Sequence, residues 1–363
     1  MREGLAKVRR LLTVEQFLAE KEHYYLVDVR SPREYAEAHI PGAVNIPLFN
    51  NEERALVGTT YKQAGTDRAK QVGLNLVAPR LPQLVAKILQ ASAGKETVIY
   101  CWRGGMRSRS ICSLLEALNY PVWLLQGGYK AFRRYIHNFL SQAEITVPVF
   151  VLNGLTGVGK TRIIKILQQQ GHPALDLEGM ANHRGSAFGT VGLGQARSQK
   201  DFEALLALAL LDYQTAPYLV IEGEGKKIGT VRLPDFLYQA MQKGQHLLLQ
   251  ADLPVRISRI VEEYQGSAEQ LEELVQAVKN LSRKLGKAKC EELAALIRRE
   301  ELERAVEILC TDYYDHYYSD SRQAKDNYLA VVDVNDLYKG AAEIIGTINL
   351  YLYKQPGFIG RKE

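Results

Sequence analysis

No apolar run in the 363 residues approaches the roughly 20 that a membrane-spanning helix needs, so neither a membrane protein nor a membrane partner is expected. The opening stretch Met1-Arg-Glu-Gly-Leu-Ala-Lys7 lacks the apolar h-region of a signal peptide, and the cytoplasm is the expected compartment. Cysteine is scarce: the four are Cys101, Cys112, Cys290 and Cys310, with no Cys-x-x-Cys pair and no histidine at metal-ligand spacing. Neither a disulfide framework nor a zinc site is expected, and no metal ligand is assigned with certainty. Internal repeats and low-complexity tracts are also missing, which argues against a solenoid or a disordered tail. What is present is the composition of a globular protein, in a chain long enough for two or three domains.

Charge is unevenly spread. Residues 1–143 hold 20 Lys and Arg against 12 Asp and Glu, whereas residues 144–363 hold 26 against 29. A basic N-terminal half suits an anionic partner such as RNA, although solubility alone would also explain it. Along that half, short apolar runs alternate with amphipathic stretches, the pattern of an α/β sheet flanked by helices. Tyr25–Val29, Ala43–Ile46, Glu96–Tyr100 and Val122–Leu125 read as strands. Ser31, Pro32 and Glu34 open a helix with a capping box and proline at its first position. The second half begins with a strand at Val147–Leu152, after a boundary between His137 and Val147. Strands are expected again at Ala174–Leu177, Tyr218–Ile221, His246–Leu249 and Tyr328–Val332. Residues 255–310 read as mostly helical and highly charged, and a last helix runs to about Tyr353.

Cys101 stands at the end of a strand, before Gly104, Gly105 and the start of a helix. Unpaired N–H groups and the helix dipole stabilise a thiolate at such a place, and Arg103 and Arg107 add full charges nearby. The pattern suits a nucleophile or a carrier of sulfur-group atoms, and the same cradle suits an oxyanion. Cys112, Cys290 and Cys310 lie in apolar-periodic helical segments and read as plain core or surface thiols.

Gly154-Leu-Thr-Gly-Val-Gly-Lys-Thr161 satisfies G-x-x-x-x-G-K-[ST] between an apolar strand and a helix. Gly154, Thr156, Gly157 and Gly159 belong to a loop whose backbone N–H groups surround phosphates, with Lys160 as the mobile cation. The Thr161 hydroxyl is placed to ligate Mg²⁺. Glu222 and Glu224, at the end of a later strand, stand where an acid that organises a metal is expected. Arg256 and Arg259 lie one helical turn apart and either close over phosphates or form a solvated face. The glycine-rich segment Asn182-His-Arg-Gly-Ser186, which contains Arg184, reads as a substrate-binding loop.

Asp28-Val-Arg30, Ser31-Pro-Arg-Glu-Tyr35, His39-Ile-Pro-Gly-Ala-Val-Asn-Ile-Pro47 and the Cys101 loop resemble the rhodanese superfamily over residues 12–138. One departure is the spacing Cys101-x5-Arg107, wider than in sulfur-transferring rhodaneses and equal to that of Cys-x5-Arg phosphatases. Together with Asn51-Glu-Glu-Arg54, Gly58-Thr-Thr-Tyr-Lys-Gln63 and Ile221-Glu-Gly-Glu-Gly-Lys-Lys-Ile-Gly229, these motifs make almost the whole chain resemble the bacterial tRNA 2-selenouridine synthase family. The fold this implies is α/β: a rhodanese-like domain over 1–140, then a P-loop NTPase-like domain over 141–363 with a helical insertion or extension near 255–310.

That resemblance implies a transferase whose tRNA substrate carries a wobble 2-thiouridine in the anticodon, its sulfur replaced by selenium. Selenophosphate and geranyl diphosphate are the implied co-substrates, and a selenophosphate-producing enzyme an implied partner. Cys101 would be essential to selenium transfer through a selenium-bearing cysteine, with Arg107 and the loop amides on the donor's oxyanion. The P-loop would hold a diphosphate, leaving ATP optional. Two other readings stay open: a Cys-x5-Arg phosphatase or sulfurtransferase fused to a kinase-like domain, and a non-catalytic rhodanese module docked to a small-molecule kinase. Tyr313, Tyr314, Tyr317 and Tyr318 offer base-stacking surfaces, although the spacing of Tyr313 and Tyr317 fits core packing better.

Overall fold

In the computed structural model, which describes residues 10–92, 94–315 and 328–355, the apolar runs become two separate parallel sheets. Contacts divide the chain into two units: one runs to Gln142 and takes in Glu203–Ala207, the other comprises Ala143–Phe202 and Leu208 onward.

The first unit has strands β1 (Leu11–Leu12), β2 (Tyr24–Asp28), β3 (Val44–Asn45), β4 (Glu96–Tyr100) and β5 (Val122–Leu125). They lie in the order β1-β5-β4-β2-β3, all parallel. Its helices are α1 (Val14–Ala19), α2 (Pro32–Glu37), α3 (Asn51–Val77), α4 (Leu81–Ser92), α5 (Met106–Ala117) and α6 (Gly128–Gln142). Alternate residues of β2 and β4 face opposite cores, as the strand period of two requires. Leu26, Val98 and Tyr100 meet Phe132 and Ile136 of α6, whereas Val27 and Ile99 meet Ile111 and Leu115 of α5. Asp28 pairs in register with Tyr100, so β2 and β4 end side by side. The expected cap of α2 is present, with the Ser31 side chain accepting from Glu34 N–H and the Glu34 side chain returning to Ser31 N–H. The long helix α3 was not expected. It breaks at Gly65, whose φ is +81°, and only Ala69, Gly73 and Val77 of it are buried.

The second unit has β6 (Val149–Asn153), β7 (Ala174–Leu175), β8 (Leu219–Glu222), the hairpin β9 (Lys227–Ile228) and β10 (Val231–Arg232), β11 (Gln245–Gln250) and β12 (Ala330–Asp333). Five of these form a parallel sheet in the order β12-β11-β6-β8-β7. Helices α7 (Lys160–Gln169), α8 (Leu177–Ala181), α9 (Gln199–Asp212) and α10 (Asp235–Lys243) connect the early strands. Between β11 and β12 the chain inserts α11 (Leu253–Tyr264), α12 (Ala268–Asn280), α13 (Ser282–Leu285), α14 (Lys287–Arg298) and α15 (Leu302–Leu309). A π-helical turn, Cys310–Tyr314, follows, and α16 (Leu337–Tyr353) is the last described helix.

This unit has two cores. One packs Phe150, Leu152 and Val332 of the sheet against Ile163, Leu167 and Ile344. The other lies inside the inserted helices, around Val275, Val278, Leu293 and Ile297. Tyr314 is buried in that second core and Tyr313 packs on it edge-on, their ring centroids 4.9 Å apart. Tyr317 and Tyr318 lie outside the described residues. No helix among the described residues is long and apolar enough to cross a membrane.

Candidate functional site

Each sheet presents its chemistry at the carboxyl ends of its central strands, where parallel sheets gather ligands. In the first unit Cys101 directly follows β4, and its side chain is buried. The Ser108 hydroxyl donates to Cys101 Sγ at 3.2 Å. Gly105, the N-cap of α5, supplies no side-chain cap, so the first N–H groups of that helix have no side-chain partner at the cap. The backbone of the loop is held from the β5 side. Tyr129 N–H donates to the Cys101 carbonyl and Lys130 N–H to that of Trp102, both at 2.9 Å. Gly128, with φ of +57°, lies so close that a Cβ there would collide with the Cys101 carbonyl oxygen. The Gly127-Gly128 pair is thus required by close approach of two backbones.

Arg107 faces Glu34 of α2, its two terminal nitrogens bonding the two carboxylate oxygens at 2.7 and 3.3 Å. Burial would raise the Glu34 pKa, but the Arg107 hydrogen bond and charge, the Ser31 N–H and Arg54 more than offset it, leaving the carboxyl below its ordinary value. The Arg107 charge expected near the thiol is therefore already paired, with three of five guanidinium N–H groups left over. Arg103 is exposed on the loop, as is the indole of Trp102. Arg30, fully buried, pairs with Asp28 at 2.6 Å and donates to the Ala38 carbonyl. It packs 4.4 Å from the Tyr129 ring. The Asp28-Val-Arg30 signature thus braces the strand ends around the loop.

In the second unit the loop after β6 turns through Gly157 and Gly159, with φ of +78° and +99°, and delivers Lys160 and Thr161 as the first residues of α7. Lys160 Nζ folds back onto the Gly154 carbonyl at 3.3 Å. Thr161 Oγ1 lies 2.7 Å from Glu178 Oε2 and 3.3 Å from Glu222 Oε2, and Glu222 Oε1 accepts the Glu178 N–H at 2.6 Å. Glu222 is fully buried. Burial, then the charges of Glu178 and Asp176, hold its carboxyl well above the usual range. Burial, with Glu224 next, pushes Glu178 up to about 7, against the opposing pull of Lys160 and the Thr161 hydrogen bond.

Glu178 had not been singled out from the sequence. Its signal is an acid three residues beyond a strand end, in Asp176-Leu-Glu178, shortly before the glycine-rich segment. That segment folds back on the carboxylates: a Cβ on Gly185 would lie 2.8 Å from Glu178 Oε1 and 2.9 Å from Glu224 Oε2. Arg184 is tied to the Val191 carbonyl at 2.6 Å and packs 4.9 Å from the Tyr264 ring, so it positions the loop. Arg256 and Arg259 do not form a solvated face. Both are buried, and they hold P-loop carbonyls. Arg256 donates to the Thr156 carbonyl at 2.9 Å and forks onto Asp315, while Arg259 donates to the Val158 carbonyl at 2.7 Å. Guanidinium forks suit this because each satisfies several buried acceptors at once.

The raised Glu178 carboxyl has a testable consequence. In the folded chain it holds its proton up to about pH 7, whereas an unfolded Glu releases it near pH 4.3. Its contribution to stability is therefore fully present below the unfolded pKa and falls as pH rises through the window between the two. Glu178→Gln should remove that slope, making the variant relatively more stable than the parent by about 3–4 kcal/mol at pH 8. Chemical unfolding followed by circular dichroism from pH 4 to 8 checks this; parallel curves for the two proteins would refute it.

These features define a rhodanese-like cysteine module and a P-loop module in one chain. The rhodanese-like domain model matches residues 13–135, and the model described as the tRNA 2-selenouridine synthase AAA domain matches residues 147–339. Three curated relatives are each described as a tRNA 2-selenouridine synthase. The one from Pseudomonas syringae pv. syringae is 35% identical over 83% of this chain and 89% of its own. That from Bordetella bronchiseptica is 37% identical over the same shares, and that from Shewanella loihica is 34% identical over 81% and 86%. The chain belongs to the tRNA 2-selenouridine synthase family.

Proposed function

We propose that this chain exchanges the sulfur of wobble 2-thiouridine in tRNA for selenium, in two steps. In the first, the base's sulfur bonds to C1 of geranyl diphosphate as the C1–O bond breaks. Diphosphate leaves, and the N3 proton of the base passes to solvent. Lys160 and the loop N–H groups of Gly157 and Gly159 hold the departing anion. In the second, selenium from selenophosphate bonds to C2 as the C2–S bond breaks. Geranylthiol leaves and water takes the phosphoryl group as phosphate, with no change of oxidation state. Cys101 is the side chain on which selenium transfer depends. The open N-terminus of α5 and the unpaired N–H groups of Arg107 bind the donor's oxyanion, and Trp102 offers a ring face to an unpaired base.

The observation that carries this reading is a family match spanning both modules, with a strand-end thiol in one and a phosphate loop in the other. Thr161, Glu178 and Glu222 are hard oxygen donors close enough together to share one Mg²⁺ whose remaining positions go to water and phosphate. Bound there, Mg²⁺ would neutralise charge on the diphosphate. Among the described residues no larger ligand cluster exists.

The test is nucleoside analysis of tRNA incubated with the protein. Geranyl diphosphate alone should give S-geranyl-2-thiouridine, both donors 2-selenouridine, and selenophosphate alone neither. Selenouridine formed at full rate without geranyl diphosphate would overturn the two-step order. Hydrolysis of an aryl phosphate through Cys101, with no tRNA product, would favour the Cys-x5-Arg phosphatase reading.

A further inference from the structure

The inserted helices do not close completely. Among α11, α12, α14 and α15 lies a partly open cavity. Its walls are aliphatic and aromatic, among them Ile260, Leu274, Leu302, Ala305 and Leu309. Only Thr156 and Ser186 bring side-chain hydroxyls that are not part of an aromatic ring. Close-packed cores leave few voids larger than a water molecule, and an apolar void costs stability unless something fills it.

What fills it is indicated by its two hydroxyl-bearing aliphatic residues. Thr156 belongs to the P-loop, and Ser186 to the glycine-rich segment lying against Glu178 and Glu224. Ile260 is both a wall of the cavity and the residue packed on Gly157, where a Cβ would meet its side chain at 2.6 Å. The lining also includes Cys310 and Tyr314 of the π-helical turn, a local distortion of the kind that shapes binding sites. The next residue, Asp315, ties back through Arg256 to the Thr156 carbonyl. One continuous framework thus joins a phosphate cradle to a dry apolar chamber, the complement of an amphiphile with a phosphate head and a branched hydrocarbon tail.

We propose that this cavity is the prenyl-chain subsite of the P-loop unit, with the diphosphate in the loop and the hydrocarbon passing Thr156 into the helical core. The proposal rests on the reading of the P-loop as a diphosphate site. It assigns to the inserted helices, which carry no phosphate-binding residue, the selection of the chain.

Calorimetric titration of the full-length protein with inorganic diphosphate and with geranyl diphosphate tests it. Geranyl diphosphate should bind about 100-fold more tightly, from the apolar area its chain buries. Ala305→Phe fills the chamber and should shrink that preference to less than about tenfold while changing the affinity for inorganic diphosphate by no more than about twofold. Retained diphosphate binding also shows that the variant is folded. Leu309→Ala enlarges the chamber and should shift preference toward farnesyl over geranyl diphosphate by about tenfold. No binding of inorganic diphosphate by the parent protein would sink the P-loop reading itself. Diphosphate binding without a chain preference, or a preference that neither variant alters, would overturn this subsite alone.

Discussion

Cys101→Ala is expected to abolish 2-selenouridine formation, by about a thousandfold or more, while S-geranyl-2-thiouridine continues to accumulate. The loss would be chemical rather than structural. The loop is held through the carbonyls of Cys101 and Trp102, which accept from Tyr129 and Lys130, and through the Gly127-Gly128 approach. None of these depends on the thiol. The substitution removes one buried sulfur from a site next to Ser108, a loss that costs stability by about 1 kcal/mol. Geranylation should persist because Lys160, Thr161 and the carboxylates belong to a different folding unit with its own core. The measurement is nucleoside analysis with both donors supplied. Selenouridine formed at the parent rate would remove Cys101 from the mechanism.

Much of this was legible in the sequence because the features are local. The strand Glu96–Tyr100, the cap formed by Ser31 and Glu34, and the P-loop between strand and helix each follow from residues within one or two turns of one another. The less local features were not. Arg107 and Glu34 are 73 residues apart, so no spacing rule could show that the arginine expected beside the thiol is held by a carboxylate. Likewise Arg256 and Arg259 look like surface cations on an amphipathic helix, yet they reach about 100 residues back to P-loop carbonyls. The helix α3 escaped for another reason. Its apolar residues do not gather on one face, with Leu56, Tyr61 and Leu74 exposed, and Gly58 and Gly65 lower its intrinsic propensity, so neither periodicity nor composition marks it. The cavity has no sequence signature, since its lining reads as ordinary helical core.

Lys160→Met should produce the opposite phenotype to Cys101→Ala. The substitution keeps the aliphatic stem of the side chain but deletes the only P-loop cation. Loss of one charge-assisted contact to a multiply charged diphosphate should weaken its binding and slow geranylation by about 100-fold or more. Transfer of selenium to tRNA already carrying S-geranyl-2-thiouridine should remain near the parent rate. A second readout separates lost charge from general damage. Lys160 is one of the groups pulling Glu178 down from where burial and Glu224 would put it. Without it, Glu178 should titrate above about 7, and the pH window over which its stability contribution is lost should extend upward. A merely misfolded variant would show no such directed shift. Parent-like diphosphate affinity in Lys160→Met would show that the anion binds elsewhere, and the apolar chamber beside Thr156 would then lose its partner.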